Sequence, residues 1–137
     1  MSPGETTVLI VDDEPNVLLT LQDGLSAQGY NVLKAANGEE ALRVARAHSG
    51  PIGLLLIDVA MPGQSGPKVA ALLRELRPDA KLLYMSGFSN SVVANHGLQL
   101  GDPLITKPFT LEALGRKVQE LLAYRSPFSR PPRPPGR

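Results

Sequence analysis

Val8-Leu9-Ile10-Val11-Asp12-Asp13-Glu14-Pro15 runs an unbroken apolar tetrapeptide into three carboxylates and a proline. Four consecutive Val, Leu and Ile residues suit a strand buried on both faces, and the proline suits the first turn of a following helix. The carboxylates therefore stand where a buried strand reaches solvent. At neutral pH they repel one another by up to roughly 4 kcal/mol per close pair at an intermediate effective dielectric, a cost that a bound divalent cation offsets. A solvated loop opening the helix at Pro15 accounts for them equally well, since acidic residues suit a helix N-terminus. The triplet alone leaves both readings open.

The same alternation repeats outward from that stretch. Short β-rich runs recur at Val32 to Ala35, Leu54 to Ile57, Leu82 to Met85 and Leu104 to Thr106. Between them, Leu18, Leu21 and Leu25 share one helical face, as do Val69, Leu72, Leu73 and Leu76, and then Leu111, Leu114, Val118, Leu121 and Leu122. Glu39 to Ala47 predicts a shorter helix after Asn37-Gly38, and Asn90 to Leu100 an irregular one containing Gly97. Strands apolar on both faces, alternating with helices, predict an α/β fold: a doubly wound, five-stranded parallel sheet in the flavodoxin-like order 2-1-3-4-5, covered by five helices. Ligand sites of such sheets form beyond the carboxyl ends of the strands, where strand order reverses.

The chain has 137 residues, one domain's worth, and no cysteine, which removes thiol catalysis, disulfides and cysteine-ligated zinc and suits a cytoplasmic location. No basic apolar leader opens it, and no apolar stretch reaches the roughly 20 residues of a membrane span. The formal charge of +1 is uneven. Arg125, Arg130, Arg133 and Arg137 crowd the acid-free end, so the body is net negative and no nucleic-acid-seeking surface is expected.

The residues that end the central strands are Asp12 and Asp13, Asp58, Ser86 and Lys107, and the switch-point rule gathers all five into one crevice. Asp58 follows Leu54-Leu55-Leu56-Ile57 and precedes a turn at Pro62-Gly63. Taken singly, Asp58 reads also as a turn-initiating aspartate, and Ser86 and Lys107 as ordinary loop residues. Together, acids, a hydroxyl and a lysine suit phosphoryl transfer, where positioning and charge neutralisation dominate. The ion that fits is Mg²⁺, with Mn²⁺ as an alternative, because an all-oxygen donor set disfavours zinc. His48 and His96 stand away from the strand ends. On this model Asp58 is a nucleophile that becomes an aspartyl phosphate. Asp13 ligates the metal directly, Asp12 partly through water, and the backbone carbonyl of Ala60 adds an oxygen. Lys107 pairs with one phosphoryl oxygen and Ser86 donates to another.

The set Asp12-Asp13, Asp58-x-x-Met61-Pro62-x-x-x-Gly66, Met85-Ser86-Gly87 and Lys107-Pro108-Phe109 resembles the CheY-like receiver domain of two-component response regulators. That family is a standard example of the 2-1-3-4-5 order, so the expected topology rests on the resemblance as well as on the pattern. Met85 to Phe88, His96 to Leu98 and Lys107 to Thr110 look most like receivers associated with hybrid sensor histidine kinases. The resemblance implies residues 6–124 as the receiver, 1–5 as an extension and 125–137 as a Pro/Arg-rich disordered tail. It implies a signalling phosphoacceptor, not a classical enzyme, that catalyses only its own phosphorylation and dephosphorylation. The donor is a histidine kinase or histidine phosphotransfer protein, and the output is an unidentified protein, with no direct nucleic-acid or membrane contact. The switching face is built from the fourth helix, fifth strand and fifth helix, here including Leu98 and Leu104. Lys107-Pro108 resembles the family's cis-peptide junction.

Two departures stand out. Many members carry an aromatic residue where this chain has Leu104, so the usual aromatic coupling cannot operate as such. Ala60 and Phe88 occupy places that influence hydrolytic water in the family, and neither can orient it by a polar group. A long-lived aspartyl phosphate is therefore expected, and Ala60→Asn is predicted to speed its decay several-fold; an unchanged half-life of the phosphorylated protein counts against this.

Three rival readings stay distinguishable. An FMN-binding flavodoxin shares the topology, but Asp12-Asp13-Glu14 repels its phosphate. A haloacid-dehalogenase hydrolase uses Asp-x-Asp after the first strand and a cap segment, neither of which is present. A receiver serving purely as a binding module would bind its partner equally well as Asp58→Asn. The tail, Ser126 to Arg137, has five prolines and three arginines, which excludes a packed helix. It reads as a linker or as a short docking peptide. The chain reads as a free-standing receiver or a piece of a longer protein.

Overall fold

Each β-rich run forms a strand and each periodic segment a helix, within the residues 6–87 and 103–123 that the computed structural model describes. β1 (Thr7–Val11), α1 (Pro15–Ala27), β2 (Asn31–Ala35), α2 (Gly38–Ala47) and β3 (Leu54–Asp58) follow in order. Two short strands, β4 (Ala60–Met61) and β5 (Gln64–Ser65), precede α3 (Gly66–Leu76), β6 (Lys81–Ser86), β7 (Leu104–Thr106) and a last helix, α4 (Leu111–Ala123). The helix expected over Asn90 to Leu100 lies outside the described residues, as do Leu98, Phe88 and the tail.

The five long strands pair in parallel in the order β2-β1-β3-β6-β7, which among themselves is 2-1-3-4-5. Order reverses between β1 and β3, so Asp12 and Asp58 leave adjacent strands in opposite topological directions. Strand residues alternate between two cores. Val8, Ile10, Leu54, Leu56, Leu83 and Met85 pack with Leu18, Leu21 and Leu25 of α1 and Leu114 and Val118 of α4. Leu9, Val11, Leu55 and Ile57 pack with Ala41 and Ala45 of α2 and Val69, Ala70 and Leu73 of α3. Full burial of each such leucine or isoleucine contributes about 2 kcal/mol. The helices are thereby clamped at fixed heights on the sheet.

Local chemistry sets where the helices start. Asn37 caps α2 by accepting from the Glu40 N–H at 2.8 Å, and the Glu40 carboxylate reaches back to the Ala36 N–H, also at 2.8 Å. Arg77, just after α3, donates to the carbonyls of Ala45, His48 and Gly50 where α2 ends. This fastens α2 to α3.

The unexpected element is the β4–β5 hairpin. Ala60 pairs with Ser65 and Met61 with Gln64, around the turn that the sequence placed at Pro62-Gly63. Gly63 has φ of 72°, a left-handed conformation that glycine adopts without strain. Two-residue strands leave no periodic signal, which is why a plain turn was expected there.

Candidate functional site

The acids come together at the carboxyl edge of the sheet. One carboxylate oxygen from each of Asp12, Asp13 and Asp58 lies within 4.8 Å of the others, a spacing that can hold a cation. Asp12 is fully buried, Asp58 is 6% exposed, and Asp13 is the most exposed of the three. Burial divides the triplet. Asp12 Oδ1 accepts the Glu14 N–H at 2.9 Å and its Oδ2 accepts from Lys107 Nζ at 3.0 Å. Glu14 stands at the N-cap of α1, with Pro15 in the first turn, but its side chain makes no capping hydrogen bond. The helix start is organised through Asp12 instead.

Lys107 follows β7 and enters the crevice from the far side. Its ammonium lies 3.7 Å from Asp58 Oδ2 as well as 3.0 Å from Asp12 Oδ2. Of these two carboxylates, Asp12 is the nearer partner of the lysine that is expected to pair with a phosphoryl oxygen. Burial on its own lowers the ammonium pKa. The hydrogen bond to Asp12 and the charges of Asp58, Asp12 and Glu14 outweigh that, and the net shift is upward from 10.5. A raised pKa means that the folded state holds the proton more tightly than the unfolded chain. The stabilisation is then fully present below 10.5 and is lost as pH rises through the higher folded value. In denaturant titrations, Lys107→Met is predicted to be less stable than the parent by a constant margin across neutral pH, a margin that shrinks in strong base. A margin that shrank toward neutral pH would contradict this assignment.

Asp58 is placed by backbone bonds on both sides. It pairs with Met85 in β6, and the next residue, Val59, donates to the Met85 carbonyl at 2.9 Å and accepts from the Gly66 N–H at 2.7 Å. Gly66 opens α3 against this strand end. A Cβ there would lie 2.2 Å from the Asp58 carbonyl oxygen, so only glycine fits. The sequence pattern contained Gly66, but nothing in it indicated what the glycine touches. Ser86, fully buried, ends β6 one residue beyond the partner of Asp58, and its carbonyl accepts the Lys107 N–H at 2.7 Å. The Lys107–Pro108 peptide bond is cis. Ala60 begins β4, two residues past Asp58.

Leu104, of the expected switching face, is partly buried in β7 and packs against the core under α2 and α3. Its partner in register on β6 is Tyr84, 4% exposed and in the same cluster. An aromatic side chain thus stands one strand inward from Leu104, in the same core.

The all-oxygen donor set, with two of its three carboxylates buried, fits a hard divalent cation. Among the described residues no helix is long and apolar enough to cross a membrane. Residues 8–119 match the family model described as "Response regulator receiver domain". The sensor kinase CckA of Brucella abortus is 35% identical over 120 residues, covering 87% of this chain and 13% of that protein. The transcriptional regulatory protein PrrA of Mycobacterium tuberculosis is 37% identical over 128 residues, covering 91% of this chain and 54% of its own length. The chain thus spans a small part of the one relative and about half of the other. Among solved structures, the receiver domain of the hybrid histidine kinase CckA superposes with a TM-score of 0.72 at 34% identity, covering 85% of this chain and 98% of that one. Chemotaxis protein CheY4 of Vibrio cholerae superposes with a TM-score of 0.74 at 26% identity, with the same coverages. The likeness to a hybrid-kinase receiver agrees with the subtype expected from the sequence. With this crevice at the switch point of a 2-1-3-4-5 sheet, the chain belongs to the response regulator receiver domain family of two-component signalling.

Proposed function

We propose that Asp58 accepts a phosphoryl group from a phosphohistidine of a histidine kinase or histidine phosphotransfer protein, with Mg²⁺, or Mn²⁺ in its place, held by Asp12, Asp13, Asp58 and the Ala60 carbonyl. The observation that carries this reading is the convergence of three carboxylates and one ammonium on one crevice. A carboxylate oxygen of Asp58 attacks phosphorus, the phosphorus–nitrogen bond breaks, and its electron pair stays on the imidazole nitrogen, which takes up a proton. A cation held by these groups would supply positive charge to neutralise the phosphoryl oxygens.

The chain's own groups do the rest. Lys107, already within 3.7 Å of Asp58, turns its ammonium from Asp12 toward a phosphoryl oxygen. The Ser86 hydroxyl donates to another. That rearrangement is transmitted to the face around Leu104 and, outside the described residues, Leu98, where an output protein binds. Attack of water on phosphorus then breaks the acyl-phosphate P–O bond, returns Asp58 as a carboxylate and releases inorganic phosphate, so the domain catalyses its own dephosphorylation. We take residues 6–124 as the receiver, flanked by 1–5 and 125–137, working in the cytoplasm without direct contact to nucleic acid or membrane.

Incubation with Mg²⁺ and acetyl phosphate tests the reading. Intact-mass measurement should show a single phosphoryl adduct that maps to Asp58 and is absent when a chelator removes the metal. No adduct, under conditions that label other receivers, would sink the assignment.

A further inference from the structure

The segment between Asp58 and Gly66 carries the carbonyl of Ala60, and its hairpin is held from two sides. Met61 is 6% exposed and packs in the core with Val69 and Ala70 of α3. Gln64, paired with Met61 across the hairpin, points to a different element, because its Oε1 accepts the backbone N–H of Gly38 at 2.7 Å. Gly38 is the first residue of α2, whose opening N–H groups have no partner within the helix. A Cβ at Gly38 would lie 2.9 Å from Gln64 Oε1 and 2.8 Å from Val69 Cγ2, so the hairpin can approach α2 this closely only over a glycine. Gln64 thus joins the loop after Asp58 to a helix 26 residues earlier in the chain.

We infer that Gln64 is a positioning residue for the cation: its hydrogen bond to Gly38 fixes the hairpin, and through it the Ala60 carbonyl, relative to the carboxylates of Asp12, Asp13 and Asp58. The inference rests on the metal site proposed above. Mg²⁺ demands near-ideal octahedral geometry at short distances, whereas Ca²⁺ tolerates longer and irregular coordination. A carbonyl released from its clamp therefore penalises Mg²⁺ more than Ca²⁺. Loss of the fold or of site charge penalises both alike.

The test is calorimetric titration of the full chain with Mg²⁺ alone and with Ca²⁺ alone. Gln64→Met keeps the side chain's length and removes the acceptor. It should weaken Mg²⁺ binding about tenfold, the lower end of what loss of an outer-shell partner costs, and leave Ca²⁺ binding nearly unchanged. Gly38→Ala, which forces the same contact apart from the other side, should shift selectivity in the same direction. Gln64→Glu, whose carboxylate can accept the same N–H, should retain the parent's preference for Mg²⁺. Equal Mg²⁺ affinity in parent and Gln64→Met, or a parallel fall for both ions, overturns the clamp and leaves the metal site standing. A parent protein that binds neither ion overturns the metal site and this inference with it.

Discussion

Asp58→Asn is expected to take up no phosphoryl group from acetyl phosphate and, in metal-free buffer, to unfold at higher denaturant concentration than the parent. The first half follows from chemistry: a carboxamide has no anionic oxygen to attack phosphorus. The second follows from charge. Three carboxylates present oxygens within 4.8 Å of one another, and one ammonium, already hydrogen-bonded to Asp12, balances them incompletely. Removing one negative charge relieves repulsion that we place on the order of 1 kcal/mol after screening by Lys107 and solvent. Added Mg²⁺ should stabilise the parent by mass action and the variant much less, since a ligand stabilises only the state that binds it. Chemical denaturation with and without Mg²⁺ reads both effects. If Asp58→Asn is still labelled, the nucleophile is elsewhere. If it is less stable than the parent in the absence of metal, the carboxylates are not in electrostatic conflict.

Gly66→Ala is expected to have the largest effect on the fold itself. The added methyl would meet the Asp58 carbonyl oxygen at 2.2 Å, the Val59 Cα at 2.8 Å and the Val59 carbonyl oxygen at 2.9 Å. All three are backbone atoms of the strand end that carries Asp58, so no side chain can swing aside. Either α3 backs away, breaking the Gly66 N–H bond to Val59, or Asp58 shifts within the crevice. Overpacking usually costs 1–3 kcal/mol; with only backbone able to yield, about 3 kcal/mol is expected here, and phosphorylation should slow sharply. Gly63→Ala makes the useful contrast. It has nothing within 4 Å of the added carbon and suffers only its φ of 72°, a penalty of about 1 kcal/mol. Denaturation midpoints of the two variants separate the causes, and equal losses would mean that steric contact at Gly66 is not what the glycine is for.

Much of this architecture is legible in the sequence. Val8 to Val11 and Leu54 to Ile57 read as strands covered on both faces, and the leucine spacing of the last helix gives it one apolar face to bury. Asp12, Asp13 and Asp58 followed from their place just past those strands, because strand order constrains where strand ends meet. The β4–β5 hairpin was not visible, since two residues per strand carry no period. Nor was Gln64, a glutamine of the two-residue strand β5 with no local signature, whose partner is an N–H in another element.

The sequence by itself carried the alternation of the long strands and helices and, with the family resemblance, the 2-1-3-4-5 class and the candidate residues at the strand ends, because periodicity and strand-end position are local properties that survive in one dimension. Only the tertiary structure decided how those groups share their work. Asp12 is sealed between the Glu14 N–H and the Lys107 ammonium, a contact spanning 95 residues, while Asp13 beside it stays more exposed. Two adjacent aspartates are equivalent on paper. Both lie just past the end of β1, where the bonds to Glu14 and, across 95 residues, to Lys107 hold one in the core and leave the other toward solvent.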